Sequence, residues 1–104
     1  MSRLPLAEKT IPLSKLPSYR RMAALRGRID KIDESIVRLL ADRCRLAQDI
    51  GDEKKTMDLP VLNRKREKKI LERVAVLASD QGLDSAMARL IFSDIIRLGR
   101  AQQK

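Results

Sequence analysis

The chain has 104 residues, of which 43% are hydrophobic and 36% charged, with a formal net charge of +9. This composition supports one folded domain with a modest core and excludes a disordered chain. The absence of histidine removes the usual neutral-pH base and the commonest metal ligand.

Tyr19 and Phe92 are the only aromatic residues, so the core must be aliphatic. No stretch alternates apolar and polar residues in the manner of a strand. Cys44 stands alone, with no partner for a disulfide or a thiolate metal site, which suits a reducing cytoplasm. No apolar run approaches the roughly 20 residues of a membrane span. The first 20 residues lack the apolar segment of a secretory signal. The positive charge could serve nucleic acid, an acidic membrane or a small anion. The helical body has no dense basic block and no aromatic stacking residues, which argues against nucleic acid.

Residues 1–18 contain Pro5, Pro12 and Pro17 and read as an extended arm. Ser18 or Ser14 is the expected cap of the helix that follows. That helix is predicted from about Tyr19 to Thr56. Leu25, Ile29, Ile32, Ile36 and Leu39, then Leu46 and Ile50, recur at spacings of four and three, a heptad seam. At about 1.5 Å per residue the helix exceeds roughly 50 Å. A compact chain of this length has a radius of gyration of only about 13 Å. Its own chain cannot cover such a helix, and a second copy in a two-fold dimer is the simplest cover.

Pro60 marks a turn within residues 57–62. A second helix is predicted from about Asn63 to Gln81, with Gly82 as its terminating glycine. Asp84 or Ser85 then caps a third helix running to about Gln102. The fold class is therefore all-α: three helices, one very long, in an intertwined homodimer, with residues 19–104 as the helical domain.

Several residues break the apolar pattern. Position 43 continues the seam between Leu39 and Leu46, and it is Arg43; beyond Ile50 the seam lands on Lys54. An unpaired buried cation costs several kcal/mol, roughly, so each must reach solvent, pair with Asp or Glu, or face an anion. The second helix extends its apolar face backwards onto Asn63, Arg66 and Glu67, which could equally be a solvated first turn. The face of the third helix through Phe92 and Ile96 continues onto Gly99 and Gln103. Arg26 flanks the seam, with Asp30 four residues on as a possible surface partner. Cys44 has no residue to activate it as a nucleophile and reads as a small apolar side chain.

Taken together, these residues resemble the all-helical class of chorismate mutases, the chorismate mutase type II family, from about Met22 to Gln103. The first helix reads LRGRIDKIDESIVRLLADRCRLAQDIGDEK from Leu25 to Lys54, the second signature reads PVLNRKREKKILERV from Pro60 to Val74, and the third helix reads LIFSDIIRLGRAQQ. The resemblance implies a role for each matching residue. Arg26 would cross from the other protomer to one substrate carboxylate. Arg43 would grip the second carboxylate, and Lys54 would touch a carboxylate and the ether oxygen. Arg66 would support the site, Glu67 would hydrogen-bond the substrate hydroxyl, and Gln103, with Gln102 as second candidate, would hydrogen-bond the ether oxygen. The family often has Asp where this chain has Asn63 and Ser where it has Gly99. The second change removes one carboxylate contact and leaves room for a different substrate.

The implied activity is the intramolecular Claisen rearrangement of chorismate to prephenate in phenylalanine and tyrosine biosynthesis. That reaction needs no nucleophile, metal or proton shuttle, so the resemblance implies neither a metal nor a cofactor. Alternatives on the same scaffold are isochorismate pyruvate lyase and aminodeoxychorismate mutase. A silent regulatory dimer and a basic helical module binding nucleic acid are rivals of other classes.

Overall fold

A computed structural model describes residues 11–104. Most of the predicted arm, residues 1–10, lies outside them. Pro12 and Leu16 are extended, and Leu13–Lys15 between them makes a single 3-10 turn. Three α-helices follow: α1 (Ser18–Thr56), α2 (Arg64–Asp80) and α3 (Ser85–Gln102). No helix among the described residues is long and apolar enough to cross a membrane.

The helix ends follow local chemistry. Neither Ser14 nor Ser18 caps α1. The Pro17 carbonyl accepts from the N–H groups of Arg20 and Arg21, both at 2.9 Å, so proline holds the capping position. Proline has no N–H to lose there, and its fixed φ suits the entry to a helix. The Arg21 guanidinium engages the Ser18 side chain and two carbonyls before the helix: it donates to Ser18 Oγ (2.9 Å), to the Leu16 carbonyl (2.7 Å) and to the Ser14 carbonyl (3.2 Å).

At the other end of α1 the chain turns through Asp58, which adopts a left-handed φ of 56°. Leu59 N–H donates to the Lys54 carbonyl (2.7 Å) and Asp58 N–H to that of Lys55 (3.2 Å). This is the reciprocal pair of a Schellman ending, with aspartate in the position usually given to glycine. The turn lies within residues 57–62, as expected, with Pro60 two positions after Asp58. Gly82 ends α2 in the same way, with φ 75°, and Leu83 N–H reaches the Ala78 carbonyl at 2.8 Å. Asn63 caps α2, its side chain accepting from Arg66 N–H at 3.0 Å. Of the two candidates for α3, Asp84 is the cap, accepting from Met87 N–H at 3.0 Å.

The described chain forms two compact units, one up to Arg38 and one from Leu39 to Lys104. In the first, no described residue is buried. Its seam residues Leu25, Ile29, Ile32 and Ile36 remain 47–59% exposed. In the second unit α2 and α3 pack on each other. Its buried residues are few and small or β-branched: Ala47 and Gly51 on α1, Val74 and Ala78 on α2, Ile96 and Gly99 on α3. Small residues at these positions let helix backbones approach closely. An ideal Cβ on Gly51 would lie 2.7 Å from Gln103 Cα, so no side chain fits there without moving the end of α3.

Candidate active site

The Leu39–Lys104 unit contains a cavity of about 360 Å³. That is the lower end of the size range of small-molecule sites. Leu46, Ile50, Ile70 and Ile96 form apolar parts of its wall. Four cations line it, Arg43, Lys54, Arg66 and Arg100, against a single carboxylate, Glu67. Asn63 and Gln103 complete the polar lining. The wall carries a surplus of positive charge, which suits an anionic ligand.

Among the described residues, neither seam cation is paired with a carboxylate. Lys54 is half-buried, and its Nζ donates to the Val61 carbonyl at 2.6 Å and to Gln103 Oε1 at 2.8 Å. An ammonium has three donors, so one remains for a ligand. The same bond orients the amide of Gln103. Lysine can only donate, so the oxygen of Gln103 must face it, and the Gln103 NH₂ is left to donate elsewhere. Two adjacent donors thus line one part of the cavity. Gln102, the second candidate for this position, is exposed and does not line the cavity.

Arg43 is also half-buried. Its Nη1 reaches the Ile95 carbonyl only at 3.5 Å, the outer limit of a hydrogen bond. Most of its donors are therefore uncommitted. Gly99 packs directly behind it: an ideal Cβ there would stand 3.2 Å from Arg43 Nη1. A side chain at 99 would make the guanidinium give by a few tenths of an ångström, so the glycine leaves Arg43 its present position as well as removing a hydroxyl.

Glu67 is reached by the one charged residue of the wall to which neither periodicity nor resemblance gives a role. Arg100 Nε stands 2.8 Å from Glu67 Oε2. Arg100 follows Ile96 by four residues and precedes Gln103 by three, which places it on the face that was read from Ile96 to Gln103. That spacing was the available signal. Arg66 is exposed at the cavity wall. Asn63 contributes to the wall while its side chain serves as the α2 cap.

The structure thus brings together Arg43, Lys54, Asn63, Arg66, Glu67 and Gln103, with Gly99 in support. Arg26 is not among the lining residues; it is exposed and belongs to the other unit. It also lacks the surface partner suggested by its spacing. The ion pairs among the described residues are Arg45–Asp42, Arg97–Asp94 and Arg100–Glu67.

A cation-lined, half-apolar cavity within a helical frame defines a class: an all-α protein with a pocket suited to a small anion. Comparison with known proteins takes the assignment further. Residues 25–104 match the family model of chorismate mutase type II. The chorismate mutase of Methanocaldococcus jannaschii is 33% identical over 84 residues, covering 81% of this chain and 85% of that protein. A bifunctional chorismate mutase/prephenate dehydratase of Escherichia coli (strain K12) is 35% identical over 81 residues, which is 78% of this chain and 21% of that longer protein. Among solved structures, a conserved hypothetical protein from Pyrococcus furiosus superposes with a TM-score of 0.65 at 37% identity, covering 80% of this chain and 95% of that one. The chain belongs to the chorismate mutase type II family. Its enzyme class is that of the family, an isomerase.

Proposed function

We propose that the cavity binds the dicarboxylate chorismate and rearranges it to prephenate, the step that leads to phenylalanine and tyrosine. The observation that carries this reading is the Lys54–Gln103 bond of 2.8 Å at the wall of a cavity with four cations and one carboxylate. The reaction breaks a C–O bond as a C–C bond forms within one molecule. No atom is gained or lost, and negative charge grows on the ether oxygen as that bond opens. The donors left over on Lys54 and Gln103 suit that oxygen. At about 4 Å a cation and an anion attract by roughly 1 kcal/mol in water and about 4 kcal/mol at an effective dielectric of 20. Fixed donors whose attraction grows with the developing charge stabilise the transition state more than the bound substrate.

Arg43 holds one carboxylate. Glu67 accepts from the substrate hydroxyl, and Arg66 and Asn63 bound the ligand from α2. Fixing a flexible dianion in its compact, reactive conformer supplies the remaining acceleration.

A second copy of the chain completes the site. The exposed seam through Leu25, Ile29, Ile32 and Ile36 is the face that would pair, and Arg26 beside it would reach the partner's second carboxylate. In this reading residues 19–104 are the catalytic domain and residues 1–18 an arm preceding it.

The test is to follow chorismate, isochorismate and aminodeoxychorismate separately with purified protein. Prephenate from chorismate, with the highest kcat/KM of the three, is the expected result. Faster release of pyruvate from isochorismate, or faster turnover of the amino-substituted substrate, would overturn the choice of reaction.

A further inference from the structure

Glu67 poses an electrostatic conflict. The proposed chemistry needs its carboxylate as an acceptor, yet a bare carboxylate in the wall repels a dianion. We infer that Arg100 is a positioning residue that resolves this conflict: it neutralises and holds Glu67, so that the carboxylate can accept the substrate hydroxyl without opposing the substrate's charge. The inference rests on the reading of the cavity as a chorismate site.

Three observations support it. First, the Arg100–Glu67 pair differs in kind from the other two ion pairs. Arg45–Asp42 and Arg97–Asp94 join residues three apart on one helix, with side chains 60–70% exposed. Arg100 and Glu67 come from α3 and α2 and are only 34% and 24% exposed. Solvent screens the first two almost completely and this one much less.

Second, both members line the cavity, so the pair is part of the wall that a ligand meets. Third, Arg100 Nε is buried and has no aligned hydrogen-bond acceptor, although Glu67 Oε2 is 2.8 Å away. The attraction is therefore one of charge more than of direction. Glu67 keeps lone pairs for a hydroxyl while its charge is offset.

The experiment measures kcat and KM for chorismate in four proteins: the unchanged chain, Arg100→Gln, Glu67→Gln and the double variant. Arg100→Lys is included because it keeps the charge, and circular dichroism checks the helices of each. With Glu67 present, Arg100→Gln should raise KM about tenfold and leave kcat within about twofold. With Glu67→Gln already in place, the same change should move KM less than about twofold, because no carboxylate remains to be neutralised. Arg100→Lys should stay within about threefold of the unchanged KM.

An equal rise in KM in both backgrounds would mean that Arg100 meets the substrate itself, and it would overturn the proposal. So would an unchanged KM in Arg100→Gln, or a loss in Arg100→Lys as large as that in Arg100→Gln. If the unchanged protein forms no prephenate, the chorismate reading fails and takes this inference with it. If the unchanged protein is active while the KM pattern is absent, only the inference fails.

Discussion

Ser18–Arg38 and Leu39–Thr56 are parts of one helix and carry one apolar repeat, but the repeat serves different ends in the two stretches. In the first, each seam position is aliphatic, and none of Leu25, Ile29, Ile32 and Ile36 is buried within the chain. In the second, Arg43 and Lys54 interrupt the seam. There the neighbouring small residues Ala47 and Gly51 are the buried ones, packed close to α3. Periodicity identifies which face of a helix is set aside for packing. It does not identify the cover. An uninterrupted seam with nothing over it in its own unit is a surface open to another chain, whereas cations in the seam beside packed helices line a pocket.

The strongest way to break this comparison is to restore the seam in its second stretch. Lys54→Leu and Arg43→Leu each return an apolar residue to the heptad. Each should lower kcat/KM by at least about 100-fold, or about 2.7 kcal/mol of transition-state stabilisation, while the thermal midpoint holds or rises. More than about a tenth of the activity remaining in either variant would show that the interrupted seam is not the site.

The converse change attacks the first stretch. Ile32→Asp puts a charge in the middle of the uninterrupted seam, where burial against a second copy would cost several kcal/mol, roughly. Sedimentation should show the dimer weakened by about 100-fold or more. An unaltered association state would mean that this face is not the pairing surface.

A smaller effect sharpens the contrast within the second stretch. Gly51→Ala places a methyl carbon against the backbone of Gln103, which must shift. The Lys54–Gln103 bond should loosen, and kcat should fall about tenfold with KM changed less than about threefold. A fall in KM-limited binding alone would place Gln103 in ground-state recognition instead.

Much of this was legible without coordinates, for reasons that can be named. Side chains recur every 3.6 residues in a helix, so the interruptions at Arg43 and Lys54 stand out against the aliphatic positions. Gly82 and Asp84 announce their roles because a left-handed φ and an N-terminal cap each favour few residue types. The start of α1 departs from the serine cap expected there, because a proline carbonyl accepts as well as any other and the Ser18 hydroxyl accepts from Arg21 instead. The turn after α1 falls within residues 57–62, as expected, but the residue that takes its left-handed conformation is Asp58. Aspartate visits that region often enough to do so, but too rarely to be read from sequence.

The sequence by itself determined the helical class, the seam, and the two cations set into it, since each depends on spacing along one helix. Only the tertiary structure decided what those cations meet. Lys54 turned out to bond Gln103, 49 residues away in sequence, and Arg43 to rest against Gly99. Arg100 joined the wall through Glu67. Such contacts arise from the packing of α1, α2 and α3 in one unit, and no periodicity within a single helix encodes the distance between side chains on different helices.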